Sequence, residues 1–275
     1  MKTLFCDLDN TLLFQLENGT YGIKDNDLKA LQKALKEDVK LVIASGRPAD
    51  INESISKMIG VEVDAVGHNG HQLISGDQNI IFASFPVEDY LKMTHYIHET
   101  YPEYNTATTD FKGVYYVGDI NKPEPLTRFN NHKKAGIIRE VSQIPADQAF
   151  KERGVTELSK LLIRVPHETD SDPIIKNLME RFGDKYVFIR SNKMFIEGLC
   201  VGHTKRTGIE AYIKMHNLDI KDCYAAGDAD NDIEMFELLH ENSFCMKAGS
   251  QRALDASRYH VEDLAEVLKI INGRE

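Results

Sequence analysis

The chain has 275 residues, 42% of them apolar, and its 33 Lys+Arg against 43 Asp+Glu leave a formal charge of -10. That length is at the upper limit for a single core, so one large domain or a core carrying an inserted module is expected. The negative charge repels nucleic acid and anionic membrane surfaces, and no basic run offsets it.

Taken in chain order, residues 2–8 read as a buried strand, since Leu4-Phe5-Cys6 is apolar and β-prone up to Asp7-Leu8-Asp9-Asn10-Thr11. Leu12-Leu13-Phe14 and Thr20-Tyr21-Gly22-Ile23 flank Glu17-Asn18-Gly19, an Asn-Gly hairpin signal. Asp25 is placed to cap a helix over 26–37 with Leu28, Leu31 and Leu35 on one face, and Val39–Ala44 follows as a second buried strand. It stops at Ser45-Gly46-Arg47-Pro48, where Pro48 suits the first turn of a helix with Ile51, Ile55, Met58 and Ile59 inside. Asp64-Ala65-Val66 is a third strand, and Asn69-Gly70 a second hairpin turn. The rhythm to this point is β-α-β-α-β.

Between 82 and 192 the pattern changes. Candidate strands at 114–117, 161–165 and 186–189 mix with amphipathic helices near 87–100 and 172–182, and Pro123, Pro125, Pro145, Pro166 and Pro173 punctuate the block. This reads as an α+β module inserted into an α/β core that occupies 1–81 and 193–275. The core resumes with a helix over 204–216, a strand at Cys223-Tyr224-Ala225-Ala226 running into Gly227-Asp228-Ala229-Asp230-Asn231-Asp232, a helix to 239, a strand at 243–246 and closing helices.

The four cysteines (Cys6, Cys200, Cys223, Cys245) are far apart and form no C-x-x-C pair, which suits reduced thiols and a cytoplasmic setting. No run approaches the roughly 18 apolar residues of a membrane span. Asp7 and Asp9 also fall where a signal peptide would carry its apolar stretch, so a soluble protein is expected.

Three polar clusters, Asp7/Asp9, Ser45-Gly46-Arg47 and Asp228 to Asp232, each follow directly on an apolar strand, and parallel strands bring such ends to one edge of a sheet. Each alone has a structural reading as a turn aspartate, a Ser-Gly loop or an acidic first helical turn. Together, Asp7, Asp9, Asp228 and Asp232 concentrate negative charge that an interior holds only with protons or a cation. All-oxygen ligands select Mg²⁺, and no His/Cys cluster competes for zinc, because His68 and His71 bracket a turn while His95 and His98 face solvent. Mg²⁺ bound this way keeps waters and takes a substrate phosphate oxygen. Lys205 stands in the first turn of the helix that Thr204 caps, where the dipole disfavours a cation; a nearby anion would offset that cost, and a solvated surface lysine is the alternative.

With these residues laid out, the chain resembles the haloacid-dehalogenase-like (HAD) phosphohydrolase superfamily, most closely its Cof-type branch with a type IIB cap. The four signature segments appear in order as Asp7-Leu8-Asp9-Asn10-Thr11, Ser45-Gly46-Arg47, Lys205 and Gly227-Asp228-Ala229-Asp230-Asn231-Asp232. The spacing between Ser45 and Lys205 fits a cap inserted between the second and third. One departure is that Arg206 rather than Gly follows the lysine, with Gly208 coming later.

The resemblance implies an α/β fold, a Rossmann-like parallel-sheet core with an inserted α+β cap covering the site. It implies a Mg²⁺-dependent phosphatase for small phosphorylated metabolites, sugar phosphates among them. Asp7 would be the nucleophile, giving an aspartyl-phosphate, and Asp9 would protonate the leaving oxygen and then activate water. Mg²⁺ would be held by the Asp7 carboxylate, the Asp9 backbone carbonyl and Asp228, with Asp232 orienting metal waters. Ser45 and Gly46 would bind phosphoryl oxygens, Lys205 would balance their charge, and Asn231 would contact the phosphoryl group or hold Lys205. Arg47 would either touch substrate or form a salt bridge on the following helix, Asn69 serves as a turn residue, and Asp230 favours the helix start. The alternatives are a phosphomutase using the same Asp7/Asp9 pair, and a non-catalytic receiver-like or phosphate-binding module.

Overall fold

Lys2–Cys6 is the pivot of the computed structural model, which describes residues 1–16, 20–166, 171–192 and 194–273. The strand is hydrogen-bonded on both sides to parallel partners, Cys223–Gly227 and Val39–Ala44. Leu4, Phe5 and Cys6 are fully buried, as a strand covered on both faces requires.

The chain divides into two units, Met1–Phe82 with Thr204–Glu275, and Ala83–His203. In the first unit the eight-stranded sheet has the order Tyr259–Val261, Ser243–Met246, Cys223–Gly227, Lys2–Cys6, Val39–Ala44, Asp64–Gly67, Gln72–Ser75, Gln78–Ile81. The first six run parallel and the last two turn back antiparallel. The chain leaves the central strand first to one side, through Val39–Ala44, and later to the other, through Cys223–Gly227, so a topological switch point lies beside Lys2–Cys6. Cys6 faces Ile43 on one side and Ala226 on the other, so Asp7, Ser45 and Asp228 all leave the sheet within two residues of one level.

The helices follow the apolar spacing. Ile51–Ile59 buries Ile51, Ile55 and Ile59, one per turn, and ends at Gly60 in the left-handed region. Asp25–Glu37 buries Leu31 and Ala34. Here the expected cap is corrected: Lys24 occupies the cap position and Asp25 is the first helical residue, where its charge favours the helix dipole without a side-chain cap bond. Phe14–Gln15 pairs antiparallel with Tyr21–Gly22, in keeping with the hairpin signal, while the Glu17-Asn18-Gly19 turn itself lies outside the described residues. The edge strand Tyr259–Val261 falls where the sequence reads as closing helices.

The second unit is built on a six-stranded sheet in the order Glu140–Val141, Val114–Val117, Asn105–Thr109, Lys160–Arg164, Phe195–Cys200, Tyr186–Asn192. It extends past the expected boundary at 192 to His203, because Phe195–Cys200 pairs antiparallel with both Lys160–Arg164 and Tyr186–Asn192. Helices Val87–Thr100 and Asp172–Phe182 bury Tyr90, Met93, Ile97, Ile174 and Leu178 in one core with Leu161, Ile163 and Ile196. His98, expected to face solvent, is half-buried, with Nε2 3.5 Å from Thr106 Oγ1. No helix among the described residues is long and apolar enough to cross a membrane.

Candidate functional site

Asp7 extends the central strand by one residue, its N–H donating to Ala226 O at 2.8 Å, so its side chain emerges at the carboxyl edge while staying buried. Beyond it the chain turns sharply: Asn10 adopts a left-handed φ of 62° and Leu13 N–H bonds back to Leu8 O at 2.6 Å. Across the edge, Gly227 gives way to Asp228. Its N–H and that of Ala229 donate to Asp232 Oδ2 at 2.9 and 3.0 Å, closing a tight loop on a fully buried carboxylate. Gly227 has to be glycine for this loop, since a Cβ there would stand 2.4 Å from Asp232 Oδ2.

Lys205 joins the two sides. It is the first residue of the helix Lys205–Met215, and its ammonium lies 2.6 Å from Asp7 Oδ1 and 2.6 Å from Asp232 Oδ1, with no exposed side-chain surface. The solvated-surface alternative for this lysine is therefore excluded. Burial disfavours its charge, yet Asp232 and Asp7 outweigh that and hold it above the ordinary lysine value. The glycine displaced from its family position also has a packing role: a Cβ on Gly208 would meet Val66 Cγ1 at 2.4 Å, where the helix crosses the hairpin turn.

A third carboxylate, Asp228, joins the two that hold this ammonium. Ligand atoms of Asp7, Asp228 and Asp232 lie within 4.8 Å of one another, a group that could hold a metal ion. Burial pushes the Asp7 carboxyl well above the usual carboxylate range; Lys205 pulls it down, while Asp232, Asp228 and Asp9 add to the rise. Burial and then the charge of Asp232 push Asp228 up to about 7. Three ionised carboxylates against one ammonium leave the site two positive charges short, and a divalent cation with oxygen ligands matches that deficit. Asp232 already accepts from Lys205 and from two backbone N–H groups, so its oxygens serve the loop and the lysine. Thr11, buried, donates to Asp228 Oδ1 at 3.4 Å.

The second strand end brings Ser45 to the same edge. Ser45 is buried, its N–H donates to Val66 O at 2.9 Å, and its Oγ accepts from Arg47 N–H at 3.2 Å. Asn69 proves to be more than a turn residue. Buried and left-handed at φ 53°, it donates its N–H to Ser45 O at 3.0 Å and accepts from Asn231 Nδ2 at 3.1 Å. Asn231 thus ties the 228–232 loop to the 68–70 turn, and it is Asp232 that holds Lys205. A Cβ on Gly46 would lie 3.2 Å from the Asn69 amide.

Asp9 stands outside the carboxylate group. Its Oδ2 and Oδ1 accept from Arg47 Nε at 2.8 Å and Nη2 at 2.6 Å, a bidentate pair, so the salt bridge of Arg47 is made to Asp9 beyond the central strand and not on the helix that follows. Asp230 is tied away from the centre, accepting from Ser250 Oγ at 2.5 Å and Arg252 Nη1 at 2.7 Å. Neither the contact of Thr11 nor the role of Asn69 is evident in the sequence; the only signal for the latter is an Asn-Gly pair of the kind that tolerates positive φ.

The sequence profile of the haloacid dehalogenase-like hydrolases matches residues 4–270. A Streptococcus pyogenes protein named "Putative phosphatase M6_Spy0533" is 24% identical over 270 residues, covering 94% of this chain and 92% of that protein. Among solved structures, SMU.1108c from Streptococcus mutans superposes with a TM-score of 0.79 at 21% identity, over 99% of this chain and 98% of that one. The HAD subclass IIB sugar phosphatase BT4131 superposes with a TM-score of 0.77 at 18% identity, over 99% of both chains. These superpositions establish a shared fold, and the profile match extends over nearly the whole sequence. The chain belongs to the haloacid dehalogenase-like hydrolase family.

Proposed function

We propose that this protein is a Mg²⁺-dependent phosphatase acting on small phosphorylated metabolites, with sugar phosphates as the leading class, through an aspartyl-phosphate on Asp7. The observation that carries the reading is the arrangement around Lys205: three carboxylates converge at the carboxyl edge of a parallel sheet, and two of them, Asp7 and Asp232, share one buried ammonium. The names of the Streptococcus pyogenes relative and of BT4131 support the phosphate chemistry and the sugar class.

In this reading Asp7 Oδ attacks phosphorus, the bond to the leaving oxygen breaks, and that oxygen takes a proton from Asp9. In the second half Asp9 takes a proton from water as the water oxygen bonds to phosphorus and the Asp7 acyl phosphate breaks. Ser45 and Gly46 hold the phosphoryl oxygens, and Lys205 compensates their charge as well as that of Asp7. Asp7, the Asp9 carbonyl and Asp228 would hold Mg²⁺, which when bound screens the repulsion between an anionic nucleophile and an anionic phosphate. To Asp232, with both oxygens engaged, we assign the positioning of Lys205 and the 228–229 backbone, and to Asn231 that of the Asn69 turn. The four free cysteines, three of them buried, suit a reducing cytoplasm.

The test is phosphate release from a panel of phosphorylated metabolites and p-nitrophenyl phosphate, with and without Mg²⁺. Turnover is expected to require the cation, to vanish in Asp7→Asn and to fall about 10²–10⁴-fold in Asp9→Asn. Full turnover by Asp7→Asn would refute the nucleophile. A product that keeps its phosphate would mark a mutase instead.

A further inference from the structure

The Arg47–Asp9 pair has more built into it than a surface salt bridge. The Arg47 side chain is 11% exposed, and both of its flanking polar groups are fixed, the N–H on Ser45 Oγ at 3.2 Å and the carbonyl accepting from His68 N–H at 2.8 Å. From that anchored backbone the guanidinium reaches back to Asp9 and engages both carboxylate oxygens at once. Asp9 itself is half exposed, with 49% of its side-chain surface open. Two parallel N–H···O bonds to one planar group hold that plane, and only a guanidinium supplies them; an ammonium offers a point charge without a fork.

We propose that Arg47 is a positioning residue for proton transfer: its fork fixes the plane and reach of the Asp9 carboxyl group, and it acts on the reaction through Asp9 alone. The inference rests on the acid and base role given to Asp9 above. In the first half-reaction the Asp7 Oδ–P bond forms, the P–O bond to the leaving group breaks, and one proton passes from Asp9 to the departing oxygen, leaving an Asp9 carboxylate. In the second half one proton of the attacking water passes to Asp9 and the Asp7 O–P bond breaks. The fork therefore meets Asp9 in its anionic form once in every cycle and returns it to the same place, which fixes the geometry on which proton transfer depends.

A residue that works only through the general acid leaves a signature in the leaving group. Aryl phosphates with an acidic phenol depart with little protonation, whereas alkyl phosphates need the proton. Two probes with the same ring, p-nitrophenyl phosphate and p-nitrobenzyl phosphate, separate the cases, with kcat/KM reporting the first half-reaction for each. Arg47→Lys and Arg47→Gln are expected to lower kcat/KM for the benzyl substrate about tenfold or more beyond their effect on the phenyl substrate, within the 10²–10⁴ that general acid catalysis supplies. The surviving phenyl activity shows that the variants fold. Asp9→Asn should show the same selectivity, and adding Arg47→Lys to it should not change the ratio further. Equal losses on both substrates, or a selectivity that multiplies on top of Asp9→Asn, would overturn the proposal and assign Arg47 to phosphate binding or to structure. Absence of selectivity in Asp9→Asn itself would instead overturn the role of Asp9, so the two failures are distinguishable.

Discussion

Lys205 shows how a single buried charge organises the residues around it. Its ammonium contacts two carboxylates at 2.6 Å each, and removing it leaves both buried without their counter-charge. Breaking one side of a buried ion pair costs about 3–5 kcal/mol. Lys205→Met is therefore expected to lower the unfolding free energy in urea by that order at pH 8, and by less at pH 5, where the orphaned Asp7 carboxylate, already raised by burial, takes up a proton more readily. A deficit independent of pH would mean that the carboxylates are not what the lysine compensates. Nothing local in the sequence separates this residue from an ordinary surface lysine at a helix start. Its partner Asp7 lies 198 residues away in the chain, and its place in the site is legible only through the family pattern. Asp7 and Asp228 are legible directly, because an acid at the end of a buried apolar strand carries a desolvation cost that a proton or a cation has to offset.

At the scale of elements, the hairpin turn at 68–70 and the start of the helix Lys205–Met215 are packed backbone against backbone. Gly70 has φ 96°, and a Cβ on it would lie 1.9 Å from Thr204 O, one residue before Lys205. Gly70→Ala is expected to cost about 1–3 kcal/mol from the backbone conformation alone. It should also reduce phosphatase turnover, since relieving the clash moves the helix end that carries Lys205; unchanged turnover with a lowered Tm would show that the lysine is not placed by this contact. The parallel strands of the first unit are legible as apolar runs, apart from the short edge strand Tyr259–Val261, while the antiparallel Gln72–Ser75 and Gln78–Ile81, with a Gln at the head of each, are not. In the inserted unit Asn105–Thr109 and Phe195–Cys200 are not, although both lie in the middle of the sheet. The first is buried while largely polar, with Thr108 Oγ1 bonded to Lys160 O and Thr106 Oγ1 beside Tyr90 and Thr94 hydroxyls. The second carries Glu197, whose charge is met by Lys160 at 2.9 Å on the neighbouring strand. Partners that satisfy a polar strand come from other strands and from a helix packed on the sheet, so no local window contains them. The helix Pro123–Lys134 reads as loop because of its prolines, yet they stand at its start, where a missing N–H costs nothing.

For the molecule as a whole, the site converts a local excess of negative charge into a dependence of stability on pH and metal. Asp228 in the folded protein titrates near 7, well above the roughly 3.9 of an unfolded aspartate. Between those values the native state binds more protons than the unfolded one, so the contribution is fully present below about pH 4 and is lost as pH rises through 7. Asp7, raised in the same direction by burial, acts with it. A divalent cation competes for the same oxygens and binds their deprotonated form, so its stabilisation runs the opposite way and grows with pH. Metal-free protein in EDTA is therefore expected to lose Tm from pH 5 to pH 8 through this site. Mg²⁺ at 100 times its dissociation constant should restore about 2.7 kcal/mol at pH 8, and far less at pH 5 for the same total concentration. Asp228→Asn removes both the titrating group and a proposed ligand, so it should flatten the pH slope and abolish the Mg²⁺ shift together. Scanning calorimetry of the two proteins at the two pH values, with and without Mg²⁺, measures all of these. A Mg²⁺ shift of equal size at both pH values, or one that survives in Asp228→Asn, would place the cation elsewhere than among these carboxylates.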